Sequence, residues 1–198
     1  MTDSPRRLEA QLGFLLEADR LKTVLRRNPL TDGSRRENTA EHSWHLALFA
    51  CVLAEHAAEP VHLDRVIRML LVHDLVEVDA GDTFAYDPAA HADKAEREHR
   101  AADRIFALLP DEQARDYRAL WDEFEARATL EARFAFAVDR LQPILMNAAA
   151  EGLAWQEHGV HADQVRDYNR HIHDGAPELW RHAQRVIDDA VARGVLEG

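Results

Sequence analysis

The chain has 198 residues, 46% of them hydrophobic, and a formal net charge of -12, enough sequence to bury one substantial core in a single domain spanning 1–198. The acidic surplus argues against nucleic acid or an anionic membrane as the main partner, because a phosphate-binding surface needs a basic stripe that this sequence lacks. A small anionic substrate stays open, since a metal ion and two or three arginines reverse the local sign.

Apolar positions recur at helical spacing nearly throughout, with eight glycines and no alternating Val/Ile/Thr runs, so the periodicity predicts an all-α chain with few strands or none. The N-terminal segment MTDSPRRLEAQLGFLLEADR is too charged for a signal peptide, and no apolar run approaches the ~20 residues of a membrane span. A soluble cytoplasmic protein is expected. Ser4-Pro5 opens a first helix to about residue 25, after which RRNPLTDGSRRENT, with Pro29 and Gly33, reads as a loop. A second helix is expected over about 39–58, with Leu46, Phe49 and Leu53 as its apolar stripe. After Glu59-Pro60 a third runs over about 63–78 and stops at Gly81.

Tyr86-Asp87-Pro88 breaks the chain again, and an amphipathic helix follows over about 90–109, its run DKAEREHR reading as a solvated face. Pro110-Asp111-Glu112 has the proline and acids of a helix first turn, giving helices over about 111–126 and 129–152. The C-terminal segment adds two more, broken at Gly175-Ala176-Pro177. Trp121, Trp155 and Trp180 read as core or subunit contacts. Cys51, the single cysteine, reads as a small buried hydrophobe, and one cysteine permits neither an intramolecular disulfide nor a site of several thiolates.

The chemistry concentrates in LLVHDLVEVDAGD. On a regular helix Leu70, His73, Asp74 and Glu77 share a stripe, and Leu71, Leu75 and Val78 fill the neighbouring one, which sets the polar groups at the edge of a buried face. A buried carboxylate without a partner costs several kcal/mol or neutralises itself, so something cationic must stand opposite. His42 lies on the inward stripe of the second helix, and Asp139 has Ala135, Phe136, Gln142 and Pro143 as helical neighbours. Two histidines and two aspartates facing inward from separate segments suit a divalent transition metal. Taken alone, an inward histidine is more often a core residue than a ligand. A second His-Asp pair, His173-Asp174, runs straight into Gly175 and Pro177 and reads as a solvated helix end.

These residues resemble the signature of the HD-domain metal-dependent phosphohydrolases: a histidine (His42), a later His-Asp pair (His73-Asp74) and a distant aspartate (Asp139). The pattern E-N-x-x-E-H-S at Glu37 to Ser43, and H-D-x-x-E-x-x-x-x-G-D at His73 to Asp82, is similar to the 5'-deoxynucleotidase branch. The likeness extends over about residues 10–150, the HD core, with 151–198 as a C-terminal helical extension.

The resemblance implies an HD-type helical bundle in which His42, His73, Asp74 and Asp139 hold a divalent ion (Mn, Co, Mg, Zn, Ni or Fe) that activates water for attack on phosphorus. Glu77 then orients or deprotonates the nucleophile and Asp82 stands on the substrate side, or Glu77 and Asp82 hold a second ion. Arg27 aligns with an arginine that grips phosphate oxygens. Asn28 stands where well-studied bacterial members carry a tryptophan against the ribose 2'-hydroxyl, and an amide pairs with a hydroxyl that an indole excludes. Asn28, Thr83 and Phe84 are thus candidates for substrate discrimination, and His45 for a supporting or a packing role. The implied reaction removes the 5'-phosphate from (deoxy)nucleoside monophosphates, in a homodimer. The alternatives are an HD-type phosphodiesterase, a hydrolase of another phosphorylated metabolite, or a catalytically silent metal-dependent regulatory module.

Overall fold

The computed structural model describes residues 4–87 and 89–198; Pro88, part of the expected break at 86–88, lies outside them. Its architecture is helical, as the periodicity predicts, with one short hairpin. Helix α1 (Ser4–Asp19) passes through a 3-10 turn (Arg20–Thr23) into strands β1 (Leu25–Pro29) and β2 (Arg36–Asn38). These pair antiparallel, Leu25 opposite Asn38 and Pro29 opposite Arg36. The segment expected to be a loop is therefore a hairpin whose turn holds Gly33 at φ 70, with Leu30 N–H donating to the Arg35 carbonyl at 2.9 Å. Proline at the strand end removes no ladder bond that the pair needs.

Helix α2 (Thr39–Leu53) starts at a capping box: Asn38 Oδ1 accepts from Glu41 N–H, and the Glu41 carboxylate accepts from Asn38 N–H. It ends five residues before the expected limit, in a 3-10 turn at Ala54–His56. Cys51 is exposed on it, not buried, because the inward stripe falls on His42, Leu46 and Ala50. Helix α3 (Leu63–Val72) is shorter than predicted, and α4 (Glu77–Ala80) resumes after four residues. In the gap the bonds tighten to i→i−3, Leu75 N–H to Val72 O and Glu77 N–H to Asp74 O. This corrects the reading of one regular stripe; Leu71, expected to pack, is 47% exposed.

Helices α5 (Lys94–Phe106), α6 (Asp111–Ala126) and α7 (Leu130–Ala149) follow. The C-terminal segment holds four helices where two were expected, α8 (Leu153–Glu157), α9 (Ala162–Asn169), α10 (Ile172–Gly175) and α11 (Pro177–Ala192). Among the described residues no helix is long and apolar enough to cross a membrane.

Two apolar clusters organise the fold. One joins Leu46, Met69, Leu70, Phe134, Val138, Leu141 and Trp155 to Ile172, Leu179, Ala183 and Ile187, so the C-terminal helices share the core built on α7. The other joins Phe14, Val72, Leu75, Val76, Phe106 and Trp121. His73-Asp74 lies where the chain crosses from the first cluster to the second. Trp180 packs against the first from a partly buried position, and His173 and Asp174 are exposed.

Helix α10 approaches α7 closely at Gly175, where a Cβ would lie 2.1 Å from the Arg133 carbonyl oxygen. Neither backbone can yield cheaply. Gly175→Ala is expected to cost about 1–3 kcal/mol of stability or more, read as a lower urea midpoint with an unchanged slope; a wild-type midpoint would contradict this packing.

Candidate metal centre and active site

The motif Glu37 to Ser43 divides into a cap and a working part. Asn38 and Glu41 fix the start of α2, which turns His42 inward and fully buried. Its Nε2 lies 3.1 Å from Asp139 Oδ1 on α7 and 3.8 Å from Asp74 Oδ2. Its Nδ1 faces Glu37 Oε2 at 3.5 Å. Glu37 is itself held by the Gln142 amide, which donates to Oε1 at 2.9 Å, and His45 Nδ1 lies 3.4 Å from the same amide nitrogen. A carboxylate behind a ligand histidine orients the ring and raises its basicity.

His73 closes the last turn of α3, and its Nδ1 donates to the Leu70 carbonyl at 2.9 Å. That bond leaves Nε2 to face Asp74 Oδ2 at 3.1 Å and Asp139 Oδ1 at 3.7 Å. The tightened backbone after Val72 brings the carboxylate of Asp74 back beside its own neighbour's ring. Ligand atoms of His42, His73 and Asp139 lie within 4.8 Å of one another, and Asp74 approaches both histidines. His73 Nε2 is buried in ion-pair range of two carboxylates yet in no hydrogen-bond geometry, the arrangement of a nitrogen aimed at a shared centre. Two imidazoles and two carboxylates around one point fit a divalent ion.

The carboxylates outnumber their cations. Glu77 is buried, with Oε2 accepting from Thr39 Oγ1 at 2.8 Å, and Gly81, at φ 73, turns Asp82 back toward the cluster. Burial first, and then the charge of Asp74, push Glu77 well above the ordinary carboxylate range; burial also raises Asp82, against the pull of Arg26. Burial works against ionisation of Asp139 and Asp74 as well, but the two histidines beside Asp139, and His73 with Arg26 beside Asp74, hold both below that range. Burial would lower His73, yet Asp74 and Asp139 lift it to about 10.

Arg26 is the cation at the centre. Its guanidinium reaches Asp74 at 3.1 Å, Asp82 at 3.7 Å and Glu37 at 3.8 Å. Strand alternation turns Arg26 and Asn28 inward and leaves Arg27, the residue expected to grip phosphate, exposed at the rim. Reading the segment as a loop hid that alternation. Thr83 and Phe84 line the cavity with Asn28.

The sequence also missed Arg97. It donates to the Ala80 carbonyl, the Ala90 carbonyl and Thr83 Oγ1, clamping the loop that carries Asp82. Lys94 pairs with Glu98, which is buried, so DKAEREHR is not a uniformly solvated face; Lys94 and Glu98 line the cavity beside Asp74 and Glu77. Arg140, beside Asp139 at 3.6 Å, lies over the rings of Phe136 and Tyr168.

Asp74 and Asp139 lift His73 to about 10, so a divalent ion bound at Nε2 competes with a proton. Metal affinity, measured calorimetrically in several buffers, is therefore expected to tighten as pH rises, by about tenfold per unit on the acid side of that value, with proton release. Affinity independent of pH would contradict His73 as a ligand.

Comparison with known proteins identifies the family. The HD domain family model matches residues 18–180. The human 5'-deoxynucleotidase HDDC2 is 31% identical over 144 residues, 70% of this chain and 69% of its own, and the mouse protein 32%, covering 70% and 71%. A crystal structure described as a predicted metal-dependent phosphohydrolase, from Magnetospirillum magnetotacticum MS-1, is similar at a TM-score of 0.94 and 53% identity over 100% of both chains. A conserved hypothetical protein from Pyrococcus furiosus, at 21% identity and a TM-score of 0.61 over 91% of this chain and 99% of its own, shares the fold. The chain belongs to the HD-domain phosphohydrolase family.

Proposed function

We propose that the protein removes the 5'-phosphate from nucleoside monophosphates, deoxynucleotides among them, in a reaction that depends on a divalent metal ion. The observation that carries this reading is the convergence of His42, His73, Asp74 and Asp139 on one point beside two adjoining cavities that share Arg26, Asp82, Asp139 and Arg140 in their walls. One is lined by Glu77, Asp82 and Lys94. The other is lined by Asn28, Phe84, Tyr86, Trp155 and Tyr168. The polar cavity suits a phosphate and the aromatic one a nucleoside. The names of the HDDC2 relatives support the same substrate class.

When bound, the ion supplies Lewis-acid polarisation of a phosphoryl oxygen and activation of water. The protein's own groups do the rest. With Oε2 accepting from Thr39 Oγ1, Glu77 has one oxygen left to orient a water molecule and take its proton. Asp82 faces the entering phosphate from the loop that Arg97 holds. Arg26 offsets charge on the phosphate oxygens from within, and Arg27 from the rim.

Phosphate release from a panel of nucleoside monophosphates, with single divalent ions added to chelator-treated protein, tests the reading. His73→Ala and Asp74→Ala are expected to lose both metal binding and turnover; full turnover by metal-stripped Asp74→Ala would sink the mechanism. Arg27→Ala is expected to lower kcat/KM by about 10²–10³-fold, the usual loss for one charge-stabilising contact, with metal affinity unchanged. Arg26→Ala is expected to lose at least as much and to alter metal affinity, because Asp74 and Asp82 are left without their cation.

A further inference from the structure

The cations in the walls of the two cavities differ in what they already hold. Arg26 is committed to Asp74, Asp82 and Glu37, Lys94 is committed to Glu98, and Arg27 stands exposed at the rim. Arg140 is different. With Arg26 it lies in the walls of both cavities, yet the carboxylate that pairs with it, Asp139 Oδ2, is 3.6 Å from its Nε, longer than a charge-assisted hydrogen bond. The other oxygen of Asp139 is the one that faces His42 and His73.

Packing holds the guanidinium in place. Phe136 and Arg140 are four residues apart on α7 and so share a face, and Arg140 Cζ lies 4.7 Å from the centre of the Phe136 ring. Tyr168 on α9 holds the same Cζ 4.2 Å from its ring and adds a hydroxyl contact. Ring contacts of this kind use the charge of a guanidinium and leave most of its N–H donors unspent. Nε is buried without a hydrogen-bond partner, so the 23% of the side chain that stays accessible lies elsewhere on it, in the cavity walls. A 5'-nucleotide that sets its nucleoside against Phe84 and Trp155 and its phosphate beside Asp74 and Asp139 carries the phosphoryl oxygens past this side chain.

We propose that Arg140 is a catalytic residue that grips two oxygens of the substrate's phosphoryl group with its forked N–H donors; this rests on the nucleotide reading above. Arg26 contributes positive charge to the same place, but its guanidinium is turned to carboxylates, so Arg140 supplies the hydrogen bonds. A fork that its rings already hold matches phosphate geometry with little ordering left to do, and its contacts strengthen as charge grows on those oxygens in the transition state.

The test titrates inorganic phosphate and 2'-deoxyadenosine, separately, into the manganese-loaded wild type, Arg140→Ala and Arg140→Lys by calorimetry, and measures kcat/KM for 2'-deoxyadenosine 5'-monophosphate. Arg140→Ala is expected to bind phosphate at least about tenfold more weakly while binding the nucleoside as the wild type does, and to lose about 10²–10³-fold in kcat/KM. Arg140→Lys, which keeps the charge but not the fork, is expected to fall between the two; circular dichroism checks folding, and the lysine variant carries the test alone if the alanine variant does not fold. Wild-type phosphate affinity in a folded variant overturns the grip, as does an equal loss of phosphate and nucleoside affinity, which marks a structural role, or a wild type that binds no phosphate. Those results leave the nucleotide reading standing if the wild type hydrolyses the monophosphate. A wild type that hydrolyses no nucleoside monophosphate, yet binds phosphate in a manner that depends on Arg140, removes the nucleotide reading and keeps the grip.

Discussion

Glu37, Asp74, Glu77, Asp82 and Asp139 lie around one buried point, with the guanidinium groups of Arg26 and Arg140 and the rings of His42 and His73 beside them. An uncompensated buried carboxylate costs on the order of several kcal/mol, so an arrangement with this sign must be held by the surrounding fold. Its distribution shows how. Asp74 and Asp139 are kept ionised by the histidines, whereas Glu77 and Asp82 are pushed toward neutrality. A divalent cation held at this point would offset that charge, and its binding would add to the stability of the fold.

The fold supplies the rigidity that this requires. α2 is locked by its capping box, α3 stops at His73, and α7 carries Asp139 through the middle of the larger core. The hairpin then covers the cluster with Arg26. Each device is local, and together they bring four side chains from three segments to within a few ångströms.

The cluster was legible because its residues have helical spacing and apolar neighbours. His42, His73 and Asp139 stand out as polar residues on stripes that otherwise bury leucine, alanine and phenylalanine. The second His-Asp pair has no such stripe, and its residues are exposed. What failed was the reading of short or irregular segments. A five-residue strand with two arginines and a proline carries too little alternation to register, and with it went the inward role of Arg26. The break at residues 73–76 was invisible because Leu75 and Val76 continue the apolar run while their backbone tightens. Arg97 and Glu98 were lost inside a run of charges, where only the packing of α5 against the loop after Gly81 tells a clamp from a solvated face. Cys51 was misplaced by composition, which knows that cysteine is usually buried but not which way α2 turns.

The central claim is that His42, His73, Asp74 and Asp139 together hold one divalent ion. Crystals grown with zinc, with diffraction recorded on either side of the zinc absorption edge, address it without recourse to activity. The account predicts an anomalous peak about 2.0–2.2 Å from both histidine nitrogens and from a carboxylate oxygen of each aspartate. A peak bound elsewhere, or none at these side chains at saturating zinc, would contradict it.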